Sequence, residues 1–347
     1  MSGVARVWLI SGVAAVVVAG GIVAVLVMRG GNSPAPTTTT TAAPTTTAVA
    51  GPACPLSGVP SGAGGVPPRP ALAVKIDNYP AARPQSGLEQ ADVVFEEPVE
   101  GGITRLVAVF QCQSPPLIGP VRSARAIDAQ IVDELSHPLF FHVGGIGPVL
   151  SIISAADDVN LDLGYHGSVI QHPPGRYAPY NTYFSAAAGW GLDAGDTTQP
   201  APLFTYADTP PAGTPLSSIH IPFAPTNDVT WNWDAPSKKW LLSYSGTPAT
   251  VATGAQIAAA NVVVQTVQVS YGPWVENAQG GLEVQARLTG SGPLLVLRDG
   301  EEISGTWQRA ATSAPTMLVA SNGTTIPLKP GLTWVELVPS AVGVSSH

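Results

Sequence analysis

The feature that most constrains this chain is an uncharged apolar run, residues 7–28, bounded by Arg6 and Arg29 and rich in Val, Ala and Leu. As a helix rising about 1.5 Å per residue it extends roughly 33 Å, enough to cross the hydrocarbon core of a bilayer. Secretory signals have shorter apolar cores, so the run reads as an uncleaved transmembrane anchor. The competing reading is a signal cut near Ala19 or Gly20. One Arg on each flank leaves the positive-inside rule indecisive. A short head, residues 1–6, ahead of a large remainder favours a cytoplasmic N-terminus. The expected location is the cell membrane, single-pass, with the C-terminal bulk extracytoplasmic.

Residues 29–51 are almost wholly Thr, Ala, Pro, Ser and Gly, including runs of Thr at 37–41 and 45–47. Such a segment has too little apolar surface to bury a core and reads as a disordered tether. The two cysteines, Cys54 and Cys112, suggest one disulfide in an oxidising compartment, with two unrelated buried thiols as the alternative. From Ala50 onward 13 Lys and Arg face 23 Asp and Glu, a net of −10. That balance excludes an electrostatic nucleic-acid binder. A local basic site for one phosphate or carboxylate remains compatible with it.

The rest divides at a Pro/Thr-rich stretch near residues 198–215, giving a mixed α/β lobe, 52–200, and a β-rich lobe, 201–347. The fold class is α+β. In the first lobe, 72–76, 93–97, 103–110 and 140–143 read as strands, the middle pair joined by a tight Gly101-Gly102 hairpin. Ser86 and Glu89 have capping-box spacing for a short helix. Ile127, Ile131 and Leu135 predict a longer helix after Ser123. In the second lobe, 218–221, 240–244, 262–269, 282–287, 294–297 and 334–337 read as strands, separated by turn pairs such as Asp299-Gly300 and Asn322-Gly323. Trp231, Trp233 and Trp240 are either a sugar-stacking surface or core, and alternation favours core.

Chemistry concentrates in the first lobe. Arg122, Ser123 and Arg125 stand at the start of the predicted helix, where the backbone dipole is positive and guanidinium groups need an anion nearby. That anion is a ligand phosphate or carboxylate, or an internal partner among Glu96, Glu97 and Glu100. Across a two-residue turn Glu100 faces Ile103, with Arg105 as its diagonal neighbour. Asp77, Asn78, Arg83 and Gln85 occupy a polar strand-exit loop of the sort that carries sites, although turn chemistry alone also explains them. The spacing of His137, His142, His166 and His172 does not fit a helical zinc motif, and no metal or cofactor is expected. No G-x-S-x-G elbow or P-loop occurs, and no catalytic residue is assigned.

Taken together, residues 72–78 (LAVKIDN), 82–87 (ARPQSG), 91–96 (ADVVFE), 100–105 (EGGITR), 119–125 (GPVRSAR) and 142–145 (HVGG) resemble the YerB-like bacterial lipoprotein family, a domain of unknown function. The second lobe resembles that family's C-terminal domain through residues 261–264 (NVVV), 290–292 (GSG), 305–307 (GTW) and 330–334 (PGLTW). The resemblance runs from about Cys54 to Pro339 and implies a bacterial envelope protein. Two departures stand out. Many relatives carry a lipidated cysteine after a lipobox, whereas here no cysteine precedes Cys54. In the segment 178–183 (APYNTY), Tyr180 occupies the place before Asn181 where the family usually has a histidine.

The expected function is a non-catalytic envelope module that binds an anionic small molecule, a cell-wall glycan or an envelope protein through Asn78, Arg83, Gln85, Glu100, Arg105, Arg122, Ser123, Arg125, His142 and Asn181. The enzyme alternative is phosphoryl or glycan transfer on a wall precursor, with the arginines clamping a pyrophosphate and Asp77 or Glu100 binding a metal. A third reading is a scaffold whose polar cluster is an internal salt-bridge network. Geometry separates them: mutual neutralisation below the surface favours the scaffold, convergence on open space favours binding.

Overall fold

The computed structural model describes residues 51–347. The expected head, anchor and nearly all of the linker lie outside the described residues. Among the described residues no helix is long and apolar enough to cross a membrane.

The first half contains β1 (Leu72–Asp77), β2 (Val93–Pro98), β3 (Thr104–Phe110), α1 (Ala126–Val132), β4 (Leu139–His142), α2 (Gly147–Ile153), β5 (Val159–Asp162) and α3 (Ala186–Trp190). The second half adds β6 (Ser218–Ala224), β7 (Asn227–Asp234), β8 (Lys239–Tyr244), β9 (Asn261–Val275), β10 (Leu282–Arg287), β11 (Gly290–Arg298), β12 (Glu301–Arg309), β13 (Met317–Ala320) and β14 (Thr333–Pro339), besides several two-residue strands. Many strands and short helices make this a mixed, α+β protein.

A large sheet runs in the order β13-β12-β11-β9-β14-β2-β3-β1-β4-β5, with β10 added on β9. The sheet crosses from one half to the other through the parallel pair β14–β2, in which Glu336 lies opposite Glu96. β1, β2 and β3 are buried along their whole length. Covered on both faces, they read as near-continuous apolar runs, as such strands must. Alternate side chains divide between two cores, because successive residues point to opposite faces. Leu72, Val74 and Ile76 join the second sheet, β6 to β8, where Trp231 and Trp240 are fully buried as core rather than sugar platform. Ala73, Val107 and Val109 join α1 and α2 on the other face.

Three local expectations are corrected. The Gly101-Gly102 turn is not a two-residue hairpin: pairing stops at Pro98 opposite Thr104, and a 3-10 turn at Glu100–Gly102 intervenes. Both glycines have positive φ, 77° and 72°, conformations that cost other residues energy. No capping box forms at Ser86; its backbone pairs with Gly119, and Gly87 precedes a 3-10 turn, Leu88–Gln90. The helix after Ser123 starts only at Ala126 because Arg125 is still extended, and it ends at Val132, before Leu135. The expected disulfide is present: Cys54 and Cys112 are bonded.

Candidate ligand-binding site

β1, β4 and β5 run parallel, and their carboxyl ends bring Asp77, His142 and Asp162 to one edge of the sheet. In open α/β sheets the carboxyl ends of such strands are where ligands are held. The ten residues expected at a single site separate here into four groups.

The deepest is a charge cluster. Glu100 receives Arg125 Nε at 2.7 Å and Arg125 Nη2 in a forked pair. Arg105 Nη2 stands 3.8 Å from the same carboxylate, and Arg105 Nη1 donates to the Ser123 carbonyl at 2.9 Å. Glu276, at the far end of the β9–β10 arm, lies 3.5 Å from Arg125 Nη1. Burial pushes the Glu100 carboxyl up, but the hydrogen bonds and charge of Arg125, with Arg105 behind, outweigh it and hold it below the usual range. Burial, with the neighbouring Arg125 charge, lowers Arg105 to about 10. The anion required by the arginines is therefore internal. Glu96 and Glu97 are not part of it.

Arg122 forms the second group. Its Nε donates to Asp77 at 2.7 Å, and its side chain is 28% exposed, against 5% for Arg105 and Arg125. Its two terminal nitrogens have no acceptor among the described residues. The Arg122 guanidinium carbon lies 6.0 Å from the Tyr180 ring, which stacks with Tyr79 at 6.4 Å and 9°. Asn181 follows Tyr180 on a segment joined to the Arg122 loop by the Val121 N–H to Thr182 carbonyl bond. Tyr180 therefore flanks the open arginine.

The third group faces the second sheet. Asn78 is buried, and its amide nitrogen, with two hydrogens to give, lies within hydrogen-bond distance of Glu96, Thr104 and the Tyr244 hydroxyl at 3.0, 2.9 and 3.0 Å. Its Oδ1 accepts from Arg83 Nε and Gln85 Nε2 at 3.1 and 3.0 Å. Arg83 reaches across to Asn227 Oδ1 at 2.7 Å. His142 stands apart as the fourth: buried, its ring nitrogens contact the Gly144 carbonyl and Asn160 Oδ1 at 3.0 and 2.7 Å.

Sequence reasoning did not reach Glu276, Asn227 or Tyr244, which meet the first half only through long-range folding. It also passed over Lys75, which is fully buried, pairs with Glu97, and donates to Asp128 at 2.7 Å. A lone Lys in the apolar strand 72–77 was the available signal. Among the described residues no group of His, Cys, Asp and Glu has metal-binding geometry.

A sheet shared by an α/β half and a β half, with polar groups gathered at the parallel strand ends, defines a two-part α+β class of protein. Residues 56–195 match the family described as “Protein of unknown function (DUF3048) N-terminal domain”, and residues 219–335 match its C-terminal counterpart. The chain is 30% identical over 279 residues to “Putative lipoprotein YerB” of Bacillus subtilis (strain 168), covering 77% of this chain and 81% of that protein. A crystal structure of YerB protein from Bacillus subtilis superposes with a TM-score of 0.72 at 26% identity, covering 84% of this chain and 99% of that one. The chain belongs to the YerB-like family.

Proposed function

We propose that this protein is a membrane-tethered, extracytoplasmic binding module of the bacterial envelope, and that it holds an anionic ligand at the Arg122 mouth. The Bacillus subtilis relative is named a lipoprotein, which supports an envelope location. No cysteine stands between the apolar run 7–28 and Cys54, so the tether in this reading is the apolar run itself rather than a lipidated cysteine.

The observation that carries the ligand reading is the partial use of Arg122: only Nε is engaged, by Asp77, while its terminal nitrogens and the paired Tyr79 and Tyr180 rings stand at the strand ends. Below it, Arg105 Nε is buried with no partner among the described residues. Glu100, with Glu276 beside it, takes up the charge of Arg125 and Arg105, which favours a supporting role for that cluster: it fixes the loop on which Arg122 stands. Guanidinium nitrogens suit phosphate or carboxylate, and tyrosine rings suit the apolar face of a sugar. A wall-derived glycan bearing either group meets both demands.

Titration calorimetry of the full-length chain in mild detergent with muropeptides and polyprenyl-phosphate analogues tests this. Charge-assisted hydrogen bonds contribute about 1.5–3 kcal/mol, so Arg122→Gln is expected to weaken binding about tenfold or more. Equal binding by wild type and an Arg122→Gln variant of unchanged melting temperature rules the mouth out.

A further inference from the structure

We propose a second anion site, separate from the Arg122 mouth, in the cleft between loop 80–84 and the hairpin that follows β8. It would take a phosphate or carboxylate carried on a hydroxylated body of monosaccharide size.

The cleft measures about 390 Å³ and is lined by Pro80, Pro84, Thr226, Thr247 and Thr250, with Arg83 and Tyr244 in its wall. That volume lies at the small end of ligand pockets, about 300–1,000 Å³. Its two walls come from the two family domains, and they are stitched together beneath it by the Ala252 N–H to Gln85 carbonyl bond at 2.8 Å. The space is thus bounded by fixed backbone on both sides.

Arg83 sets the charge. Its Nε and Nη2 are committed to Asn78 and Asn227, and its guanidinium lies flat over the Tyr244 ring at 3.6 Å. Those contacts hold the side chain in one orientation while leaving Nη1 without an acceptor among the described residues, and Nη1 is not buried. Arg105, Arg122, Arg125, Arg298 and Arg309 each have a carboxylate within ion-pair distance; Arg83 has none among the described residues. The nearest acid in its network, Glu96, is reached only through Asn78 and the Tyr244 hydroxyl. Burial pushes the Glu96 carboxyl up, and its hydrogen bonds and the Arg83 charge offset only part of that, which weakens it as a counter-charge.

An oriented guanidinium without a counter-ion, facing a cleft edged by threonine hydroxyls, is an arrangement that an oxyanion completes. The oxyanion would meet Arg83 Nη1, and the hydroxyls would bond the polar body behind it. The proline faces suit the C–H face of a polyol better than a highly charged chain. A sugar or polyol derivative carrying one phosphate or carboxylate group is the class that fits.

The test is calorimetric titration of the full-length chain in mild detergent with glycerol 3-phosphate, glucuronate and, as an uncharged control, glycerol. Saturable binding of at least one anion, but not of glycerol, is expected, and preference between the two distinguishes a phosphate from a carboxylate ligand. Arg83→Gln should weaken it about tenfold or more, the effect of losing one charge-assisted bond. Thr247→Trp fills the cleft from an exposed position without touching any bond of Arg83, and should abolish binding even if Arg83→Gln does not fold. Arg122→Gln should leave it unchanged, so failure of this site and failure of the mouth are separate results. The proposal is overturned by absence of saturable binding of either anion up to about 10 mM, weaker than the affinity at which one such contact is measurable. It is equally overturned by binding that Thr247→Trp leaves intact.

Discussion

Glu100 has one carboxylate to set against two buried guanidinium groups, and that imbalance makes it the residue on which the loop depends. Removing one partner of a buried ion pair costs about 3–5 kcal/mol, because the charge left behind stays desolvated. Glu100→Ala would leave Arg125 with Glu276 at 3.5 Å as its one carboxylate and the Ala124 carbonyl at 2.8 Å, and Arg105 with only the Ser123 carbonyl. Unfolding in urea should therefore show a loss of about 3–5 kcal/mol. A loss below about 1 kcal/mol, the range of surface pairs, would mean that solvent reaches the cluster. The need for an anion beside Arg122 and Arg125 was legible from their place before a helix, and Glu100 stood among the acids named. Glu276 was not legible, since nothing local links position 276 to position 125.

At the scale of elements, β1, β2 and α1 meet through Lys75, Glu97 and Asp128, all fully buried. Burial and the neighbouring Asp128 charge push the Glu97 carboxyl up to about 8, and Lys75 offsets only part of that. The folded state thus binds a proton that the unfolded chain, with a glutamate near 4.3, releases. A raised folded pKa gives stability that is fully present below the unfolded value and is lost as pH rises through about 8. Burial raises Glu96 and Glu336 in the same direction. The urea midpoint should therefore fall between about pH 5 and pH 8.5. Glu97→Gln should remove roughly one proton from that slope, about 1.4 kcal/mol per pH unit. A midpoint that rises over this range, or a slope unchanged in the variant, contradicts the assignment. Strands were legible here because alternation and turn pairs are local: Asp299-Gly300 turns β11 into β12 as expected, with φ of 53° and 79°. Helix ends were less so. Arg125 stays extended while its backbone N–H donates to Asp128 at 2.6 Å, a capping contact that periodicity alone does not reveal.

For the whole molecule, the decisive contact is β14 on β2, because it makes one sheet of residues from both family domains. The composition shift near residue 200 marks a change of architecture, yet strand pairing is non-local, and no turn signal announces that β14 returns beside β2. Here Glu96 accepts from Tyr244 and Trp334 at 2.9 and 3.2 Å, and Glu336 accepts from Trp231 at 2.7 Å. Every one of these indole and hydroxyl donors comes from the second half. Without that half, β2 would present a free edge and Glu96 Oε2 would lose both of its donors, so the first part does not satisfy its buried polar groups alone. Calorimetry of the full-length chain should therefore give one cooperative transition for residues 51–347, with equal van't Hoff and calorimetric enthalpies. Residues 52–200 expressed alone should lack a cooperative melt. Two resolved transitions, or a folded 52–200 fragment, would show that the β14–β2 seam is a contact between independently stable domains rather than part of one core.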